Sequence, residues 1–433
     1  MTVPWMAFGA LVVGYALVAR RFEGRGITGP IVFVAVGLLF GVTGRSGIEL
    51  GRQSAALETL TALALALLLF SDAATIDLRA LRAAAAVPMR LLLIGLPATI
   101  ILGALAAHAL VPGVSWGVAA LIAAILAPTD LSLGLAMFGD PRVPGRTSRA
   151  INAESGLNDG IATPFVTLFV ALAISEFAHG VGPIRAASIE LLLGIGIGVA
   201  AGCAGAWLLK RSEAARWSSG ASRQFATFAL ALLTYFGATT LRGNGFIAAF
   251  VGGLAFGAIG HHEAARSAQY AEETGTLLTL LVWFVFGASV GPVLLGGELQ
   301  WQPILYAVLS LTAIRMAPVA VALLGARLHP ETVAFIGWFG PRGLASVVFL
   351  LQASLALSVA GEPTNILVTT AGWTILLSVI MHGASAGPIA AWYGKRAAAF
   401  PAGSPELEPD VHVASRAGVT TPASNGEGAV SET

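Results

Sequence analysis

The 433-residue chain contains little charge and a single cysteine. Asp, Glu, Lys and Arg make up 11% of its residues, whereas about 25% is usual in a soluble domain. Hydrophobic residues make up 56% of the chain, and the mean hydropathy is +0.81. This composition excludes an ordinary soluble protein and indicates a membrane protein. The lone Cys203 can form no internal disulfide, and we interpret it as a small buried hydrophobe.

Motifs typical of enzymes and of nucleotide-binding proteins are absent as well. The sequence has no Walker A loop and no kinase motif set, and its His-His-Glu run at 261–263 lacks the spacing of a zinc-protease helix. We therefore predict a protein that is not an enzyme and carries no cofactor. The basic residues are interpreted as topology signals, so we predict no nucleic-acid partner.

About thirteen apolar stretches come close to or exceed the ~20 residues with which a helix crosses a bilayer. They cover roughly residues 4–20, 28–43, 55–74, 84–111, 116–138, 150–176, 186–209, 223–241, 244–260, 274–295, 302–324, 331–358 and 365–393. Numbering them spans 1–13, we predict an all-α polytopic membrane protein.

The distribution of Lys and Arg predicts how the spans are oriented. If the N-terminus lies outside, the inward loops and the start of the tail carry most basic residues, whereas the outward loops carry only Arg45, Arg52, Arg185 and Arg242. Positive loops stay in the cytoplasm. We therefore predict an N-out, C-in protein of a prokaryotic inner (plasma) membrane.

The chain is predicted to divide into a transmembrane domain, 1–396, and a disordered cytoplasmic tail, 397–433. The tail is rich in Pro, Ala, Ser, Glu and Gly, and such a composition cannot bury a core.

Two spans are interrupted by proline, span 5 at Pro128 and span 12 at Pro341. Neither proline can donate the helical hydrogen bond of its position. Freed backbone groups are tolerated at membrane depth only where protein, water or an ion satisfies them. Because the interruptions occupy matching places in spans 1–6 and 8–13, they predict two inverted six-helix repeats whose broken helices cross at mid-membrane. The alternative is a pair of simple proline kinks.

Two aspartates, Asp130 and Asp159, lie in the middle of spans 5 and 6. A carboxylate at this depth is rarely kept unless it meets a partner, an ion or a proton. The Thr129 carbonyl and the Asp130 carboxylate are predicted to face a cavity beside the break. Such oxygens suit a hard monovalent cation rather than a transition metal. Asp130 could also cap the second half of its own broken helix, which is compatible with ion binding.

Span 6 carries four polar positions at helical spacing. Four-residue steps place Ser155 and Asp159 on one face, and Glu154 and Asn158 on the adjacent face. The first pair is predicted to offer oxygens to a cation, and the second pair to tie the helix to its neighbours. Alternatively, all four side chains serve helix packing.

Two arginines and a further acid also lie within the spans. A buried guanidinium needs a carboxylate partner, and Glu154 is the best partner for Arg315, in a pair that would be structural. Arg342 could either fix the crossing of the broken helices or tune the carboxylates. Asp72, near the end of span 3, either lines the ion path or faces inward water.

The motifs follow one another in a specific order. They are Ala-Pro-Thr-Asp at 127–130, Glu-Ser-Gly-Leu-Asn-Asp at 154–159, the intramembrane Arg315, Gly-Pro-Arg-Gly at 340–343 and His-Gly-Ala-Ser-Ala-Gly-Pro at 382–388. In this combination the chain resembles the monovalent cation:proton antiporters of the NhaP/NHE type, over essentially all of residues 1–396.

The resemblance implies exchange of Na⁺, or of K⁺ or Li⁺, for H⁺ by alternating access, and a role in pH homeostasis. It also implies a thirteen-helix fold assembled as a homodimer in the bilayer. Spans 4–6 and 11–13 would form a moving core, and spans 1–3 and 8–10 the dimer scaffold. Asp159 would carry the exchanged proton or cation, and the ion shell would be completed by Asp130, Ser155 and the Thr129 backbone. Glu154 and Arg315 would form the family's buried pair.

The chain departs from the family pattern at two ligand positions. Relatives with two adjacent aspartates are electrogenic, whereas Asn158 holds the first of these positions here, which implies electroneutral 1:1 exchange. Many relatives have Glu directly after the Phe that matches Phe70, but this chain has Ser71 and then Asp72. One residue corresponds to about 100° around a helix, so it stays open whether Asp72 is a third ligand. Pro341 also replaces a more usual Leu.

Three other functions are compatible with some of these features. A passive cation channel would use similar oxygens, but the pair of broken helices argues against a continuous pore. A transporter of a small organic solute would need more aromatic or basic groups near the site. An intramembrane enzyme with an Asp130–Asp159 dyad would be expected to carry protease motifs, which are absent.

Overall fold

All regular secondary structure is helical in the part of the chain that the computed structural model describes. This part comprises residues 2–23, 26–44, 55–76, 86–130, 133, 142–178, 182–260, 262–296 and 299–407. The helices are α1 Thr2–Glu23, α2 Gly29–Val42, α3 Ala55–Thr75, α4 Ala86–Leu110, α5 Trp116–Leu126, α6 Gly145–Ala178, α7 Gly182–Ala214, α8 Gly220–Thr240, α9 Gly245–Gly260, α10 His262–Leu295, α11 Trp301–Ala322, α12 Pro330–Trp338, α13 Leu344–Val359 and α14 Asn365–Ala397.

The helices have the length and composition of membrane spans. Within the described residues, eight are long and apolar enough to cross a bilayer, namely α1, α3, α4, α6, α7, α10, α11 and α14. Four shorter helices, α2, α5, α9 and α13, are apolar as well. The predicted all-α membrane fold is confirmed, whereas the number of thirteen spans stays a prediction.

One group of helices packs around α10. This helix contacts α2, α3 and α8, and α9 packs between α3, α7 and α8. Glycines allow these backbones to approach closely. A Cβ atom at Gly37 of α2 would lie 2.2 Å from the carbonyl oxygen of Phe284 in α10, so any larger residue would push the two helices apart.

A second group contains the helices that carry the predicted site residues. In it, α5 packs between α4 and α6, and α11 packs against α14 and α12. The two groups meet where α6 contacts α3 and α9, and where α13 contacts α3 and α10. They resemble the predicted core and scaffold, but that division into moving and static parts stays a prediction.

Span 12 is interrupted, as its proline predicts, and the described helix of span 5 ends before Pro128. In span 5, α5 begins at Trp116 and ends at Leu126, and it is capped by Ser115, whose hydroxyl accepts a hydrogen bond from the N–H of Val118 at 3.3 Å. Span 12 consists of α12 and α13, separated by residues 339–343. Pro330 starts α12 at a position where a missing N–H has no consequence. Span 13 is α14.

The chain folds back onto the membrane domain after α14. A short 3-10 turn, Pro405–Leu407, contacts α6, and the side chain of Glu406 is 2% exposed. Ser404 and Glu406, both within the predicted tail, are thus buried against the membrane domain, and the division into a transmembrane domain and a disordered tail stays a prediction. The remainder of that predicted tail, 408–433, lies outside the described residues.

Candidate cation site

The two breaks cross and are joined by their backbones. The N–H of Asp130 donates to the carbonyl of Pro341 at 2.8 Å. The Asp130 carboxylate, through Oδ2, accepts from the N–H of Leu344 at 3.2 Å. Since Leu344 is the first residue of α13, Asp130 caps the second half of span 12. The cap predicted from the sequence was on the second half of its own span, most of which lies outside the described residues.

The polar side chains of α6 hold Thr129 in the break of span 5. The Ser155 hydroxyl donates to the Thr129 carbonyl at 2.9 Å. The Asn158 amide donates to Thr129 Oγ1 at 2.7 Å and to the same carbonyl at 3.3 Å. Ser155 therefore acts together with Asn158 in the structure, where the sequence paired it with Asp159. The lone pairs of the Ser155 oxygen are still compatible with a cation ligand, because a hydroxyl that donates can also accept.

Asp159 lies at the contact between the two helix groups. It is partly exposed on α6, and its carbonyl accepts from Thr163 Oγ1 at 2.9 Å. The next residue, Gly160, lies against the ring of Phe250 on α9, and a Cβ atom there would be 2.2 Å from that ring.

Glu154 and Arg315 form a buried ion pair. Arg315 Nη2 donates to both carboxylate oxygens of Glu154, at 2.8 and 2.9 Å, and both side chains are 1% exposed. This is the partner that the sequence indicates for Arg315. The pair joins α6 to α11 beside the break of span 12, since a Cβ atom at Gly340 would lie 2.7 Å from Arg315 Nε.

Arg342 connects the two breaks to α11. Its Nη1 donates to the Ala127 carbonyl at 3.2 Å, and its Nη2 to the Ser310 carbonyl at 2.9 Å. Its own N–H donates to Ser378 Oγ on α14 at 2.7 Å. Because this fully buried guanidinium supplies donors to freed backbone carbonyls, the contacts favour the role of fixing the crossing over that of tuning carboxylates.

Asp72 lies on α3, which contacts α6, α9 and α13. Its side chain is 8% exposed, and the adjacent Ser71 hydroxyl donates to the Leu67 carbonyl of its own helix at 2.8 Å. The Ser71 hydroxyl is thus bonded to the backbone of its own helix. Whether Asp72 lines the ion path stays a prediction.

Residues that the sequence did not single out also shape the site. Gly343 leaves room for Asp130, because a Cβ atom at Gly343 would lie 1.8 Å from the Asp130 Cβ. Ser378 holds the backbone of Arg342. The glycines of the Gly-Pro-Arg-Gly motif at 340–343 were the available signal, since small residues let the backbones of membrane helices approach closely.

The comparison with known proteins decides the family. The family model described as "Sodium/hydrogen exchanger, transmembrane" matches residues 7–392. The chain belongs to this family. The match includes the crossing, the ion pair and every predicted site residue of this family member.

Curated relatives and a solved structure agree with this membership. The chain is 25% identical over 316 residues to a Na⁺/H⁺ antiporter of Schizosaccharomyces pombe, a match covering 65% of this chain and 66% of that protein. It is 28% identical over 312 residues to an uncharacterized Na⁺/H⁺ exchanger of Mycobacterium tuberculosis, covering 65% and 55%. It is 25% identical over 387 residues to the K⁺/H⁺ antiporter NhaP2 of Shewanella baltica, covering 87% and 64%. Each match thus spans less than two thirds of the relative.

The fold is similar to that of a solved antiporter. The sodium proton antiporter MjNhaP1 from Methanocaldococcus jannaschii superposes with a TM-score of 0.73 at 19% identity, covering 91% of this chain and 99% of that one. At this identity the likeness concerns the fold alone. It agrees with an integral membrane protein built from helices.

A single methyl group at Gly343 is expected to disrupt the crossing. In Gly343→Ala the new Cβ atom would overlap Asp130, which lies 1.8 Å away, so the α13 cap is lost, at a cost of about 1 kcal/mol or more. We expect a lower thermal unfolding temperature and strongly reduced transport. Gly337→Ala is the matched control in α12, because the nearest atom to its Cβ is 3.4 Å away. Equal unfolding temperatures for the two variants would contradict the steric role of Gly343.

Proposed function

We propose that the protein exchanges a monovalent cation for H⁺ by alternating access, with Na⁺ as the first candidate cation. The observation that carries the proposal is the crossing of two broken helices, where Asp130 caps α13 and α6 holds Thr129. Membership of the sodium/hydrogen exchanger family supports it. The names of the relatives include both Na⁺ and K⁺, so the choice of cation needs a direct ranking.

The proposed mechanism is competition for one site. When Asp159 is ionised it holds the cation, together with oxygens of Asp130, Ser155 and Thr129. When Asp159 is protonated it cannot hold the cation and carries a proton instead. Only these loaded states cross, because a bare carboxylate is unfavourable in the membrane interior. Coupling follows, since neither ion moves without the return of the other.

The proposed movement displaces a core of spans 4–6 and 11–13 past a scaffold of spans 1–3 and 8–10. The contacts of α10 with α2 and α3, and the position of Asp159 beside α9, support this division. We further propose an N-out, C-in orientation in a prokaryotic plasma membrane and a homodimer formed through the scaffold. Both rest on the basic loops and on the family resemblance.

The test uses the full-length protein in proteoliposomes with a trapped pH dye. Na⁺, K⁺ and Li⁺ are added outside in turn, with the membrane potential clamped to zero. Cation-driven proton efflux is the expected result, and its initial rates rank the ions. Cation flux without proton movement would support a passive channel instead, and no response to any cation would leave a solute transporter as the remaining candidate.

Exchange is expected to be electroneutral, because Asn158 supplies no second carboxylate beside Asp159. One net charge moved per cycle would respond to an imposed potential with about 2.3 kcal/mol per 100 mV. We therefore expect the same rate of Na⁺-driven proton efflux at zero membrane potential and at an imposed potential of about 100 mV. A rate that rises or falls with the potential would contradict 1:1 exchange while leaving antiport intact.

A further inference from the structure

A carboxylate at the end of α6 fixes the start of α5. The N–H of Gly117, the second residue of α5, donates to both oxygens of Glu176, at 3.0 and 2.8 Å. The first N–H groups of a helix lack helical partners and carry positive partial charge, so a carboxylate stabilises them. A Cβ atom at Gly117 would lie 2.6 Å from Glu176 Oε2, so glycine is needed for this approach.

A second carboxylate fixes the start of α12 in the same way. Glu406 Oε1 accepts from the N–H of His329, the residue before α12, at 2.7 Å, and from Thr332 Oγ1 at 2.9 Å. The segment that carries Glu406 is held by Arg146 Nη1, which donates to the Pro405 carbonyl at 2.7 Å. The His329 ring also stacks on Phe400, with centroids 3.9 Å apart.

These two contacts occupy matching places in the inverted repeats. Both α5 and α12 are first halves of broken spans, and each is capped by a glutamate at or beyond the end of the following span, α6 or α14. We call the two contacts the Glu176 clamp and the Glu406 clamp. They lie at opposite membrane faces, because α6 and α14 end on opposite sides in the proposed topology.

Each clamped half-helix is also tied at its broken end, α5 to α6 and α12 to α14, the helix that leads into the segment carrying Glu406. Ser155 and Asn158 of α6 bind Thr129 after α5. On the other side, His382 Nε2 of α14 lies 3.0 Å from the Trp338 carbonyl at the end of α12. A helix fixed at both ends to one neighbour moves with that neighbour as a unit.

We infer that Glu176 and Glu406 are a matched pair of positioning residues that keep the two breaks in the geometry that binds the cation. This inference rests on the proposed exchange function. If one end of α5 or α12 is released, the break adopts its cation-binding geometry for a smaller fraction of the time. The apparent affinity of the site for the cation falls in proportion to that fraction. The movement of the core past the scaffold does not depend on the clamps. Their loss is therefore expected to raise KM and to leave kcat nearly unchanged.

The experiment compares Glu176→Ala, Glu406→Ala and their Gln counterparts with the full-length wild type, in proteoliposomes with Na⁺ as the probe. We expect KM for Na⁺ to rise about fivefold in each Ala variant, as for the loss of one helix cap, with kcat per folded protein within about twofold of wild type. Glu406→Gln should keep the wild-type KM, because both donors bind Oε1 and Oε2 has no hydrogen bond among the described residues. Glu176→Gln should be intermediate, because both of its carboxylate oxygens accept.

The control is Glu362→Ala, which removes a carboxylate from the loop between α13 and α14 and is expected to change neither constant. An unchanged KM in both Ala variants, with only less folded protein, would overturn the positioning role. Hydrogen–deuterium exchange gives a readout that does not need transport. Faster amide exchange confined to 116–126 in Glu176→Ala and to 330–338 in Glu406→Ala is expected. If the wild type exchanges no ions, the proposed function fails. Unchanged amide exchange in both Ala variants would, independently of transport, overturn the inference that Glu176 and Glu406 fix the starts of α5 and α12.

Discussion

The Asp159→Asn variant is expected to show no cation-driven proton efflux while its fold stays intact. Asn has nearly the shape of Asp but neither ionises nor carries a proton at neutral pH. The variant can therefore neither neutralise a cation in the membrane interior nor return a proton. Initial rates of efflux in proteoliposomes should fall to those of empty liposomes for every cation tested.

The fold should survive because Asp159 is partly exposed and Asn preserves the shape of its side chain. Size-exclusion retention and thermal unfolding of the variant are expected to match the wild type. Glu190→Gln is a matched control, because it neutralises an exposed acid on α7, away from the site. Full exchange in the Asp159→Asn variant would contradict the proposed mechanism. Asp72→Asn, measured beside it, would decide whether the acid of α3 lies in the ion path.

The membrane fold and the location of the breaks could be predicted from the sequence, because each follows from a local rule. Lipid forces about 20 apolar residues into one span, and a proline in a span removes a backbone donor. The boundaries were less predictable. Span 10 was placed at 274–295, yet α10 begins at His262, because a helix that leaves the bilayer has no reason to stop at its surface.

The partners of the site residues could be predicted only where a buried charge requires a partner of opposite charge. A buried guanidinium needs a carboxylate, so Arg315 pointed to Glu154. Spacing along α6 gives angles around one helix but not the neighbour that each face meets, so the joint hold of Ser155 and Asn158 on Thr129 was missed. Two further contacts, of Asp130 with Leu344 and of Glu406 with Thr332, are made between residues that are distant in the sequence. Only the crossing of the breaks and the return of the chain after α14 bring them together.

The ion pair between Glu154 and Arg315 is expected to have the largest single effect on stability. Both side chains are 1% exposed, so Arg315→Met leaves the Glu154 carboxylate buried without its partner. Removing one member of a buried pair typically costs about 3–5 kcal/mol. Thermal unfolding should show a far larger loss for this variant than for Arg223→Met. That control breaks a pair with Glu213 whose side chains are 25% and 31% exposed, and such pairs contribute at most about 1 kcal/mol.

Replacing both members of the pair by apolar residues should preserve stability, even though replacing only one of them does not. Arg315 binds Glu154 through Nη2 alone, and its Nε and Nη1 have no hydrogen bond to any described residue. Two buried donors without partners are unfavourable, and well-packed apolar residues often substitute for such a pair without loss. We therefore expect the double variant Glu154→Met with Arg315→Met to regain most of the stability lost in Arg315→Met, as measured by a double-mutant cycle. If the pair is structural, this variant also regains measurable exchange. A stable double variant without exchange would instead place Glu154 or Arg315 among the groups that move the ions.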